Sequence, residues 1–345
     1  MTVTLDQTPS AGHTARLTAA ELGSLWTQYQ NDTVAVCVLE YFMKHCEDRD
    51  IRQILEFALG SSKSHIQFMA GLYARENLPL PVGFTGQDVH SDAPRLFSDV
   101  FMLIYLQNMS VIGMAGASVA IGVSARSDVS GFFREVLMSA VELHDRARSL
   151  GLNKGTYIRP PYISPPDKAD FVTKQSFLFD MFGKNKRPLT AMEITHLFLN
   201  IQTNAIGKAM MMAFAQVCRS AEAKDFFLKG KEIAGKHIKL FTGTLTNGDI
   251  PSPMSSDSWV TDSTTAPFSD KLMVFHTTAM IAVGIGNYGT AAGTCQRIDL
   301  SVQYTRLSAE IAQYAEDGAN LMIKYGWLEE PPQAADRHFL ANRPT

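Results

Sequence analysis

Much that would mark a specialised class of protein is scarce in this chain. Its 345 residues hold only four cysteines, Cys37, Cys46, Cys218 and Cys295. None falls in a CxxC pair or at a Cys/His metal spacing, so free thiols in a reducing, cytosolic setting are expected. Charged residues make up 19% with a net charge of −3 and the signs interspersed. That leaves no basic stripe for nucleic acid and no acidic tail. The first sixteen residues lack the basic start and apolar run of a secretory signal, so export by that route is not expected. Alternating apolar and polar runs, the mark of half-buried strands, are also missing.

What is present is repetition. Leu17, Thr18, Ala19 and Glu21 recur 172 places later as Leu189, Thr190, Ala191 and Glu193, and the same offset carries Cys46 onto Cys218 and His65 onto His237. After a one-residue slip, Phe97-Ser98-Asp99 matches Phe268-Ser269-Asp270, Arg126 and Asp128 match Arg297 and Asp299, and Pro160-Pro161 matches Pro331-Pro332. Matches so widely spread mean two copies of one folding unit. With 46% hydrophobic content, the chain can bury two ordinary cores. The divisions expected are a flexible start over 1–16, a first unit over 17–156, a Pro-rich linker over 157–188, a second unit over 189–332 and a polar tail over 333–345.

Thr18 with Glu21, and Thr190 with Glu193, have the spacing of capping boxes and predict the start of each unit's first helix. Apolar residues then recur at three or four places, through Leu22, Trp26, Tyr29 and Val36 in one unit and Ile194, Phe198 and Ile201 in the other. A short turn leads to a second helix, and a long Pro/Gly/Ser-rich stretch separates it from a third and fourth. Four helices with one long central crossing describe an all-α, ferritin-like bundle of up-down-down-up topology, here in tandem. The third helices, Val100 to Ala125 and Leu272 to Gln296, are long and uncharged enough to span a bilayer. Their interior polar residues, their many small residues and the absence of Lys/Arg asymmetry at their flanks favour burial instead, so no membrane partner is expected.

His65 continues the inner stripe of the second helix, and His237 does so in the copy. Helix rise places Asp32, His65 and Glu142 at one height, where two carboxylates and an imidazole could hold a divalent ion. Glu40, two turns from Asp32 on the same stripe, is a fourth candidate ligand. The matching positions Asn204, His237 and Gln313 carry no formal charge, so the expected site lies in the first bundle. Against it stand two facts: Glu142 precedes the apolar Leu143 and is turned about 100° from it, and no Glu-x-x-His pair of the di-iron kind exists, since neither Glu56 nor Glu232 shares a face with the following histidine. The competing reading is a structural core histidine with a hydrogen-bonded neighbour. His276, which aligns with Tyr105, is expected to be a polar cap on the core. Met210 to Met212 are read as packing, because adjacent helical residues cannot face one ion. Gly284, Gly286, Gly289 and Gly293 lack the strand and the Lys-Ser/Thr of a phosphate loop, so no nucleotide cofactor is expected.

The runs NIQTNAIGKAM (Asn200 to Met210), GKEIAGKHI (Gly230 to Ile238), PFSDKLMVFHTTAMIAVGIGNYGTA (Pro267 to Ala291) and AEDGANLMIKYGWLEEPPQAADR (Ala315 to Arg337), with PRLFSD and IRPPYI in the first unit, resemble the family called domain of unknown function 3231. The resemblance covers nearly the whole chain in tandem. It implies a ferritin-like fold and a link to spore-forming bacteria, where some members are labelled spore coat proteins; it supplies no catalytic residues. Two functions follow as expectations. One is an iron- or manganese-binding protein, an oxidoreductase acting on dioxygen, a peroxide or a small organic substrate at Asp32, His65, Glu142 and Glu40. The other is a non-enzymatic, sporulation- or stress-associated structural protein, cytoplasmic or spore-associated. A homodimer is one way its apolar third helices could be covered.

Overall fold

The computed structural model describes residues 15–178, 187–253 and 259–342. Most of the expected flexible start, and parts of the linker, second crossing loop and tail, lie outside them. Eight long helices follow one another: α1 (Ala19–His45), α2 (Arg49–Arg75), α3 (Asp99–Val123) and α4 (Ser127–Asn153) in the first repeat, then α5 (Ala191–Val217), α6 (Ala221–Thr246), α7 (Asp270–Thr294) and α8 (Ile298–Lys324) in the second. No strand forms among the described residues beyond two isolated bridges, Val89 to Phe268 and Phe97 to Val260. The chain is all-α, in two tandem bundles.

The residues shared by the repeats are the ones that fix helix direction. Thr18 and Thr190 close capping boxes with Glu21 and Glu193 and start α1 and α5. Asp99, opening α3, accepts from the backbone N–H groups of Glu47 (3.2 Å) and Asp48 (2.9 Å) in the α1–α2 turn. Helix α3 therefore starts beside the start of α2 and runs parallel to it. At the other end, Glu21 accepts from the N–H groups of Ala125 (2.9 Å) and Arg126 (2.7 Å), and Arg126 reaches Glu76 beyond α2 (2.6 Å). Lys154, after α4, pairs with Asp48 (2.8 Å) back at the first end. The order is thus up, down, down, up. Asp270 with Arg219 and Ser220, Glu193 with Arg297, and Lys324 with Glu222 repeat the scheme in the second bundle.

The two bundles are joined by exchange between their crossing loops. His90 N–H donates to Pro267 O (2.7 Å) and Ser269 N–H to Asp88 O (2.9 Å), while Ser98 N–H donates to Trp259 O (2.9 Å) and Thr261 N–H to Leu96 O (2.9 Å). Beyond α8, Glu329 accepts from Val82 N–H (2.9 Å), Gly83 N–H (3.1 Å) and Gln30 Nε2 (2.6 Å). Gly83 has φ +61°, and a Cβ there would lie 2.7 Å from Thr33 Oγ1, so this turn requires glycine. Rings interlock across the join: Tyr41 with Phe268 (centroids 5.2 Å apart), Phe84 with Phe275 (4.9 Å) and Phe101 with Trp259 (6.0 Å).

The interior departs from the expected pair of independent cores. One continuous cluster of buried residues draws on both repeats, and a smaller one, including Leu25, Met69, Phe132 and Phe133, fills the far end of the first bundle. At the centre of the join the matched residues Tyr105 and His276 meet, with Oη 2.7 Å from Nε2. Burial pushes the His276 pKa down to about 4, so the ring is neutral. This junction explains why the N-terminal parts of the third helices are apolar. The N-terminal halves of α3 and α7 pack inside, whereas Val119 (68% exposed) and Val123 (48%) face out. Of the two segments long enough to span a bilayer, α3 alone among the described residues has that length and apolarity as a helix.

Candidate functional site

In the first bundle the polar layer is a pair. Asp32 on α1, buried, has Oδ2 3.4 Å from His65 Nδ1 on α2 and accepts a hydrogen bond from Gln28 Nε2 (2.8 Å). The His65 ring stands edge-on to Phe132, and its buried Nδ1 has no hydrogen bond of good geometry. Glu142 does not join them. It is half exposed and bound to Arg146 (2.7 Å), whose guanidinium covers the Phe57 ring. Glu40 likewise lies at the surface, paired with Lys63 (2.8 Å). The cause for Glu142 is the turn of about 100° that separates it from the buried Leu143. Two of the four expected ligands therefore meet, and among the described residues no group of three His, Cys, Asp or Glu side chains could hold a metal ion. A carboxylate and an imidazole alone supply two of the three ligands of a non-haem iron site.

The second bundle holds the fuller layer. His237, fully buried on α6, places Nδ1 2.8 Å from Tyr288 Oη on α7 and Nε2 3.4 Å from Glu310 Oε2 on α8. Asn204 Nδ2 on α5 donates to the same Tyr288 oxygen (2.8 Å). Lys236 clasps Glu310 from outside (2.7 and 2.9 Å). All four helices of the bundle are tied through one set of side chains. Burial lowers the His237 pKa against the pull of Glu310, and it raises that of Tyr288. Glu310 is lowered: burial opposes ionisation, but the bonds from Lys236 and His237 outweigh it. The layer thus holds an ionised Glu310, a neutral His237 and a protonated Tyr288.

Glu310 and Tyr288 escape a comparison of the repeats because their partners are Ser139 and Ala117. Gln313, the match to Glu142, is exposed and takes no part. The signal for Glu310 was its place three residues after Leu307 and beside Ile311 on the inner stripe of α8. Tyr288 was legible as a large side chain one heptad after Ile281 on an otherwise small-residue stretch.

Next to this layer a solvent-open cleft with about 70 Å³ of internal volume runs between α5, α6, α7 and α8 and reaches Asn108 and Ile112 of α3. None of its lining side chains is charged. The cysteines contribute no nucleophile: burial pushes Cys37 and Cys295 up to about 12, and Cys46 and Cys218 up to about 11.

A family model described as "Protein of unknown function (DUF3231)" matches residues 6–169 and again 176–340, and the chain belongs to that family. Among solved structures, the chain is similar to one from Bacillus halodurans C-125 described as a "putative spore coat protein". The two are 23% identical, the match covers 45% of this chain and 99% of that one, and the TM-score is 0.41. Among curated proteins no relative matches.

Proposed function

We propose that this DUF3231 chain is a non-enzymatic structural protein, with inner polar layers that fix the register and pairing of its helices. The observation that carries the reading is what holds the buried polar side chains. Glu21 and Glu193 close helix junctions, Tyr105 and His276 bond to each other, and His237 is held between Tyr288 and Glu310. Such networks specify one packing arrangement when each member has a partner. Association with the spore is the setting that the family resemblance offers for a protein of this kind.

Asp32 beside His65 supports a second reading, a metal bound in the first bundle, because the His65 Nδ1 is left without a hydrogen bond. Elemental analysis of untagged protein separates the two. The structural reading expects iron and manganese well below one equivalent, and a thermal midpoint unchanged by chelator. Near-stoichiometric metal that disappears in His65→Ala would overturn it.

A further inference from the structure

Beyond α4 the linker carries two proline pairs, Pro160-Pro161 and Pro165-Pro166, with Tyr162 between them. Proline fixes its own φ and keeps the preceding residue extended, so two pairs this close bias the segment strongly to polyproline II. Among the described residues, none of 158–166 makes a hydrogen bond, ion pair or ring contact. The backbone carbonyls are bare, and Tyr162 is 85% exposed.

A notch on the first bundle has the complementary surface. It lies where the join meets the end of α8, walled by Trp26 of α1, Phe84 of the first crossing loop, Phe275 of α7, and Trp327 and Leu328 beyond α8. Its internal volume is about 20 Å³, room for little more than one water-sized group. It therefore suits a chain laid across it and not a molecule enclosed in it. Trp26 and Trp327 are half-buried; neither indole N–H has an acceptor among the described residues, and neither is shut off from solvent. An indole can only donate, and a proline-rich backbone offers carbonyls with few donors of its own. Aromatic walls of this kind are what polyproline II segments dock against.

Charge is complementary too. Arg159, just before the first proline pair, is exposed and has no carboxylate partner, while Glu330, next to the notch-lining Glu329, is exposed and bonded only to Gln333. The chain's own prolines do not line its notch, so the occupant comes from another molecule. Each feature occurs once per chain. The places matching Trp26 and Trp327 are Phe198 and Thr156, and Pro331-Pro332 is followed by Gln333-Ala334-Ala335, with neither an aromatic residue nor a second proline pair.

We propose that copies of this chain join head to tail, residues 160–166 of one copy lying across the Trp26/Trp327 notch of the next with Arg159 paired to Glu330. Such a contact propagates into a filament or closes as a ring. The inference rests on the structural reading and adds to it the contact by which copies assemble; metal content tests that reading separately, so either can fail alone.

The test is sedimentation of the full chain over a concentration series to about 1 mM, with a peptide of residues 158–168 as competitor and tryptophan emission as a second readout. The average mass should climb above 38.0 kDa with concentration and fall back with excess peptide. The peptide, which has no tryptophan, should shift the emission of the chain saturably. Tyr162→Ala with Pro165→Ala changes only exposed linker residues and should weaken association about tenfold. Arg159→Glu should weaken it too, and adding Glu330→Arg should restore it. The proposal is overturned if the chain keeps the monomer mass throughout, if association survives the peptide or the linker variant, or if the second charge reversal restores nothing. A peptide that binds a chain which stays monomeric would assign the notch to another proline-rich protein and overturn the second copy as its occupant.

Discussion

Glu21→Ala is expected to destabilise the protein by about 2–4 kcal/mol, because buried backbone N–H groups left without their acceptor cost about 1–3 kcal/mol each. The carboxylate has no exposed surface and receives four donors: Thr18 N–H (2.8 Å), Thr18 Oγ (2.9 Å), Ala125 N–H (2.9 Å) and Arg126 N–H (2.7 Å). Alanine would unsatisfy the cap of α1 and the α3–α4 turn together. An ordinary helix cap is worth about 1 kcal/mol. A loss no larger than that in urea unfolding would mean that Glu21 caps α1 and does nothing for the turn. The same contact sets an acid limb. Burial opposes ionisation of Glu21, but its hydrogen bonds from Thr18, Arg126 and Ala125 prevail and hold its pKa below the ordinary 4.5. With the folded value lowered, this stabilisation is complete above pH 4.5 and is lost as the pH falls through the folded value. In Glu21→Gln the limb should be shallower.

The second large effect is expected at Gly230. A Cβ there would lie 2.1 Å from Met211 Sδ and 2.2 Å from Tyr314 Oη. Met211 can turn aside, but Tyr314 is buried and donates to Phe226 O (2.9 Å). Gly230→Ala should therefore destabilise by about 1–3 kcal/mol, as overpacking of a closed core does. The first repeat shows the remedy, since it carries Ala58 where the second has Gly230 and Leu143 where it has Tyr314. Adding Tyr314→Leu to Gly230→Ala should recover much of the loss, a coupling of the kind a double-mutant cycle reads directly. Strictly additive effects in such a cycle would contradict the contact.

The fold was largely legible because its determinants are local. Capping boxes at Thr18 and Thr190, three-and-four periodicity and a single long crossing per repeat suffice to set element order and direction. Glu21, Asp99 and Arg126, matched by Glu193, Asp270 and Arg297, are the residues that fasten helix ends to one another. Such matches report junctions, and a search for chemistry among them finds structure. The candidate site was harder to read for the converse reason. Its defining residues, Tyr288 and Glu310, are where the repeats differ, so similarity between the repeats conceals them. Helix height rightly brought Asp32 to His65, but height says nothing of rotation, and Glu142 turned outward with its face of α4. The join between bundles was not legible, because it depends on backbone exchange between loops that carry no periodicity.

The central claim is that two copies of one unit have become a single folded body with a shared interior. Differential scanning calorimetry of the full chain tests it most directly. A shared core linked through Tyr105 and His276 predicts one transition whose van't Hoff and calorimetric enthalpies agree, and Gly230→Ala should move that whole transition downward. Two separable transitions, with only one shifted by the substitution, would contradict the account.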